Sequence, residues 1–133
     1  MRSLDLPAGS TIRLTATARP NVARHRWDML VFTAGGPGDA HPRLTFGSEI
    51  GGDDREQRID VPAQDKDCRV EVTSRHAIAG GWKDDFLSID QDTPALLTMA
   101  FSDSSAASAQ RDDVLLSFAF AAAAPADAKL APG

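Results

Sequence analysis

The segment Thr11-Ile-Arg-Leu-Thr-Ala-Thr-Ala18 alternates without a break, with Ile12, Leu14, Ala16 and Ala18 on one side and Thr or Arg between them. A period of two is that of a β-strand with one buried and one wet face, and a helix cannot present it. The pattern returns along the chain. Cys68, Val70 and Val72 alternate with Arg69, Glu71 and Thr73, and Val114, Leu116, Phe118 and Phe120 alternate with Leu115, Ser117 and Ala119. From Arg26 to Phe32 the apolar residues occupy both faces, Trp27, Met29 and Val31 on one and Leu30 and Phe32 on the other. That suits a central strand, or one covered by a loop, with Trp27 in the core. Shorter runs at Arg43–Phe46, Gln57–Val61, Phe86–Ile89 and Leu96–Phe101 complete a set of about eight strands, the first beginning at Thr11. Pro20-Asn21, Gly35-Gly-Pro-Gly-Asp39, Gly51-Gly-Asp-Asp54 and a loop around Gly80-Gly-Trp82 punctuate them. No amphipathic helix of three or more turns interrupts the series. The expected fold is an all-β antiparallel sandwich, jelly-roll-like.

Composition agrees. Sixteen Asp stand against three Glu, and Asp favours turns because its short carboxylate bonds nearby backbone N–H groups. The 133 residues fit one domain, expected over 1–120, with the Ala/Pro-rich stretch 121–133 as a flexible tail. The single cysteine, Cys68, excludes an internal disulfide and falls on the apolar face of its strand, where a thiol acts as a small hydrophobe. The first residues lack the apolar core of a signal peptide and no run reaches the ~20 residues of a membrane span. A cytoplasmic protein, or one exported without a cleaved signal, is therefore expected.

The net charge is −5. Residues 1–81 balance eleven acidic against eleven basic side chains, whereas 82–133 hold eight against three, so the excess lies in the C-terminal part. Such a balance argues against non-specific nucleic-acid binding, which uses a basic patch or stripe.

Catalytic templates are sparse. There is no Gly-x-Ser-x-Gly elbow and no phosphate loop, and His25, His41 and His76 show no metal-ligand spacing. Two features remain. Trp82 follows two glycines and precedes Lys83, Asp84 and Asp85. It either folds back to cap one end of the sandwich or presents its face to a sugar ring or a protein, with His76, Asp84 and Asp85 as neighbouring ligand-binding candidates. The second feature is the stretch from Phe101-Ser-Asp103 to Asp112-Asp-Val114. Carboxylates at the ends of adjacent antiparallel strands converge, and Ca²⁺ takes six to eight oxygen ligands. The simpler reading of these Asp residues is that they cap turns, and Arg111 beside the pair offsets part of its field.

Cys68-Arg-Val-Glu-Val-Thr-Ser-Arg-His76, Gly80-Gly-Trp82, Met99-Ala-Phe-Ser-Asp103 and Asp112-Asp-Val114 together resemble the C-terminal half of bacterial jelly-roll-like β-sandwich domains. Those domains end in a Phe-Glu-Asp, Gly-rich loop, Asp-Tyr-Asn-Asp-Val signature of calcium type. The resemblance implies that Asp103, Asp112 and Asp113 occupy the signature's acidic places. Ser102 stands where Glu is usual, the loop has no glycine, and the Tyr-Asn step is absent.

The expected function is a non-enzymatic binding or structural module that recognises carbohydrate or protein through loops at one end, with Ca²⁺ as the one cofactor implied. Two other classes stay open. A small enzyme acting on a saccharide would use His76 as acid or base with Asp residues, in a concave pocket. A homo-oligomeric subunit would pair exposed sheet edges, which only Pro42 and Pro62 visibly protect.

Overall fold

The computed structural model describes residues 2–19, 24–36, 41–93, 95–102 and 113–122. Within them lie ten strands: β1 (Arg2–Leu6), β2 (Ser10–Ala18), β3 (His25–Thr33), β4 (Leu44–Ile50), β5 (Glu56–Val61), β6 (Cys68–Ile78), β7 (Gly81–Asp84), β8 (Phe86–Asp92), β9 (Leu96–Ser102) and β10 (Val114–Ala122). All pair antiparallel, in two five-stranded sheets. The first sheet runs β1-β6-β3-β4, with β7 also on β6, and the second runs β5-β2-β10-β9-β8. The antiparallel sandwich expected from the alternation is therefore present, with two strands more than the pattern showed. β10 continues two residues beyond position 120, and residues 123–133 lie outside the described part.

The inward face of each strand is the apolar one. Trp27, Met29, Val31, Val70 and Val72 of the first sheet meet Ile12, Leu14, Leu97, Met99, Leu116 and Phe118 of the second in one buried cluster. Trp27 is fully buried, and its indole N–H donates to Gln57 Oε1 at 2.8 Å, so the ring is packed without an orphaned polar atom. Cys68 is buried as well. β3 lies between β6 and β4, with Trp27, Met29 and Val31 buried and Leu30 and Phe32 half-buried on its outer face. Outside, the Arg69 guanidinium lies 4.9 Å from the Phe32 ring centroid and covers it.

The two additional strands shape the surface. β1 carries Leu4 and Leu6 into the core and pairs with β6 from Cys68 to Val72. β7 pairs with the same edge of β6 further along, from Arg75 to Ile78, since β3 occupies the other edge. Ala79 and Gly80 form the whole turn between β6 and β7. Gly80 has φ +84°, a conformation that side chains other than glycine's adopt reluctantly. This turn sends the chain straight back, so Trp82 lies in a ladder opposite Ala77 and not in a free loop. The expected loop is corrected on this point.

Candidate functional site

The chain changes sheets between β7 and β8 through one residue, Asp85. Its N–H donates to the Ser74 carbonyl at 2.9 Å, continuing the ladder on β6. Its carboxylate turns inward and is fully buried. There Oδ2 accepts from the Ser74 hydroxyl at 2.5 Å and meets His25 Nδ1 at 2.8 Å, while Oδ1 meets His76 Nδ1 at 2.7 Å. His25 and His76 are register partners on β3 and β6, with ring centroids 6.1 Å apart. Two imidazoles on one carboxylate place a proton on each Nδ1. His25 Nε2 is buried and has no hydrogen-bond partner.

This cluster gathers two of the candidate residues, His76 and Asp85, but inside the protein. His76 is 7% exposed. A His–Asp pair orients an imidazole for base chemistry, yet the Ser74 hydroxyl is spent on the carboxylate and not on an imidazole, so no nucleophile–base pair is formed. A groove of about 470 Å³ beside Arg13, Asp60 and Phe120 belongs to the second sheet and holds neither histidine. His25 and Ser74 were not among the sequence candidates. Their link to Asp85 depends on cross-strand register over separations of 60 and 11 residues, which composition does not reveal.

Trp82 and Asp84, by contrast, face outward. Trp82 is 38% exposed, and Asp84 is almost fully exposed. Alternation places them on the outer face of the first sheet, because their partners Ala77 and Arg75 lie opposite in phase to the buried Ser74 and His76. Successive register partners make a row across four strands, Asp84, Arg75, Arg26 and Glu49. Beside it lies a second row, Trp82 and Ala77, with the Ala77 N–H donating to the Arg24 carbonyl at 2.9 Å. Ion pairs on this face, among the described residues, include Arg69–Glu71 at 3.0 Å, Arg26–Asp28 at 3.2 Å, Arg75–Asp84 at 3.5 Å and Arg24–Glu49 at 3.6 Å. Ile78, Phe86, Leu87 and Ile89 are further exposed apolar side chains.

Of the acidic signature, Asp103 and Asp112 lie outside the described residues. Asp113 is 6% exposed and Ser102 2%, and they sit one step beyond the partners Phe101 and Val114, at facing ends of β9 and β10. Among the described residues no group of three or more His, Cys, Asp or Glu is placed to hold a metal ion. The shifted titrations lie elsewhere. The Arg43 guanidinium, hydrogen-bonded to Asp65, holds that carboxyl below its ordinary value and is itself raised.

Fold and surface together define an antiparallel β-sandwich with an aromatic and charged outer face. No protein-family model matches the chain, and no curated protein matches it. Among solved structures it is similar to a lectin of Chromobacterium violaceum, in complex with alpha-methyl-fucoside, with a TM-score of 0.49, 17% identity and coverage of 87% of this chain and 92% of that one. It is also similar to a high-affinity mannose-binding lectin of Ralstonia solanacearum, with a TM-score of 0.48, 16% identity and the same coverage, 87% and 92%.

Proposed function

We propose that this chain is a non-enzymatic binding module that takes carbohydrate on the outer face of its first sheet, with Trp82 as the stacking platform. The observation that carries this reading is the indole itself, part-exposed on a strand that is paired along its length. The C–H face of a sugar ring stacks on an aromatic face, and its hydroxyls exchange hydrogen bonds with planar polar groups beside it. Asp84, on the same face two residues on, supplies an acceptor. Holding the platform in a ladder reduces the side-chain and loop ordering that binding would otherwise cost.

Trp82→Ala tests the reading directly. Glycan-array signal should vanish while the melting temperature stays nearly unchanged. A large loss of stability would make Trp82 a core residue and remove the platform. Retained glycan binding would move the site elsewhere.

Calcium is a separate part of the proposal. Ser102 and Asp113 at facing strand ends support a convergence of the acidic signature. Asp103, Asp112 and Asp113 would hold the ion.

A further inference from the structure

We infer that the outer face around Trp82 selects a saccharide bearing a single carboxylate, and this rests on the carbohydrate reading above. Arg26 and Arg75 are direct partners on β3 and β6, on the exposed face. Like charges directly opposite destabilise an antiparallel pair, so the arrangement is unfavourable to the fold taken by itself. The two guanidiniums are engaged unequally. Arg26 is drawn along its own strand to Asp28, and Arg75 reaches its nearest carboxylate, Asp84, only at 3.5 Å. Among the described residues the Arg75 side chain makes no hydrogen bond, and it is 46% exposed. Its N–H fork is therefore available to an acceptor from solution, the geometry that suits a carboxylate.

The neighbouring positions supply the rest of a site. Ala77 is exposed and carries only a methyl group, directly opposite Trp82. In register it lies between Trp82 on β7 and Arg24, the residue before β3. Side chains of directly opposite residues begin about 5 Å apart, and diagonal ones about 7–8 Å, so a pyranose ring over Ala77 would have the indole on one side and the Arg75 fork within reach. Asp28, Glu49 and Asp84 ring the arginines. They would repel a polyanion, as would the net charge of −5. One carboxylate on the bound ring fits; a run of sulfates does not.

The test uses the full chain on immobilised pairs that differ in one group: β-glucuronide against β-glucoside, and β-galacturonide against β-galactoside, with a polysulfated glycan as a third arm. At low salt the chain should hold at least one uronide about tenfold more tightly than its neutral twin. The preference should shrink at roughly 0.5 M salt, where exposed charges are screened. Arg75→Gln, at an exposed position, should keep its fold by circular dichroism and lose the preference, while Arg75→Lys should restore part of it. Equal retention on both members of each pair, stronger retention on the polysulfated glycan, or a preference that survives Arg75→Gln overturns the inference and leaves carbohydrate binding standing. Retention on no saccharide at all overturns both.

Discussion

Asp85 ties two strands of the first sheet together through one buried carboxylate. Its buried carboxylate accepts from two imidazoles and one hydroxyl on two different strands, so each partner depends on it for a buried polar atom. Asp85→Asn replaces one acceptor oxygen with a donor facing other donors. Breaking a buried charged cluster in this way costs about 3–5 kcal/mol, and the melting temperature should fall by roughly ten degrees or more. Ser74→Ala removes one donor and leaves the others, so its loss should be smaller, about 1–3 kcal/mol. Equal melts for Asp85→Asn and the parent would show the cluster to be dispensable. A different residue sets part of the acid response. Asp65, exposed beside Arg43, has its carboxyl below the ordinary 3.8. The pair's contribution is present above that value and is lost as pH falls through the lower folded-state one. Exposure and screening keep it small. Asp65→Asn should therefore leave the melt at neutral pH nearly unchanged and flatten part of its decline below about pH 4, a difference visible in melts taken across that window.

At the scale of the strand, the turn between β6 and β7 decides where Trp82 goes. Gly80→Val forces a branched side chain into φ +84°, at a cost of about 1–2 kcal/mol. The β6–β7 hairpin should loosen, and glycan binding should fall although no residue of the binding face has changed. Amide exchange along residues 75–84 would register the loosening; unchanged protection would show that the turn tolerates the strain. The same hairpin marks the limit of what the sequence discloses. β2, β6 and β10 were legible because each alternates over at least six residues beside wet partners. β1 is five residues long and presents only Leu4 and Leu6, too few to stand out. β7 has four residues, all exposed, and no buried position to reveal it. Trp82 and Asp84 could be singled out by residue type and by the glycines before them. Arg75, Arg26 and Ala77 could not, because they become neighbours only through the register of three strands.

The whole molecule closes its core without help from a disulfide, so any bound ion would add to a fold that is already formed. If the acidic segment between β9 and β10 binds calcium, the melt of the entire sandwich should report it. A ligand at a hundred times its dissociation constant adds about 2.7 kcal/mol, a rise of roughly ten degrees for a domain of this size. A rise with Ca²⁺ over EGTA and not with Mg²⁺ would support the site. An unchanged melt would leave Asp103, Asp112 and Asp113 as turn residues. The sheet order carries one more consequence, for the chain as it is made. β10 sits in the middle of the second sheet, between β2 and β9, and pairs with a strand about a hundred residues earlier. Until residues 114–122 leave the ribosome, β2 and β9 each present an open edge with nothing to join. The second sheet cannot assemble before residues 114–122 have emerged, and for that interval the nascent chain depends on its surroundings to keep those edges from other partners.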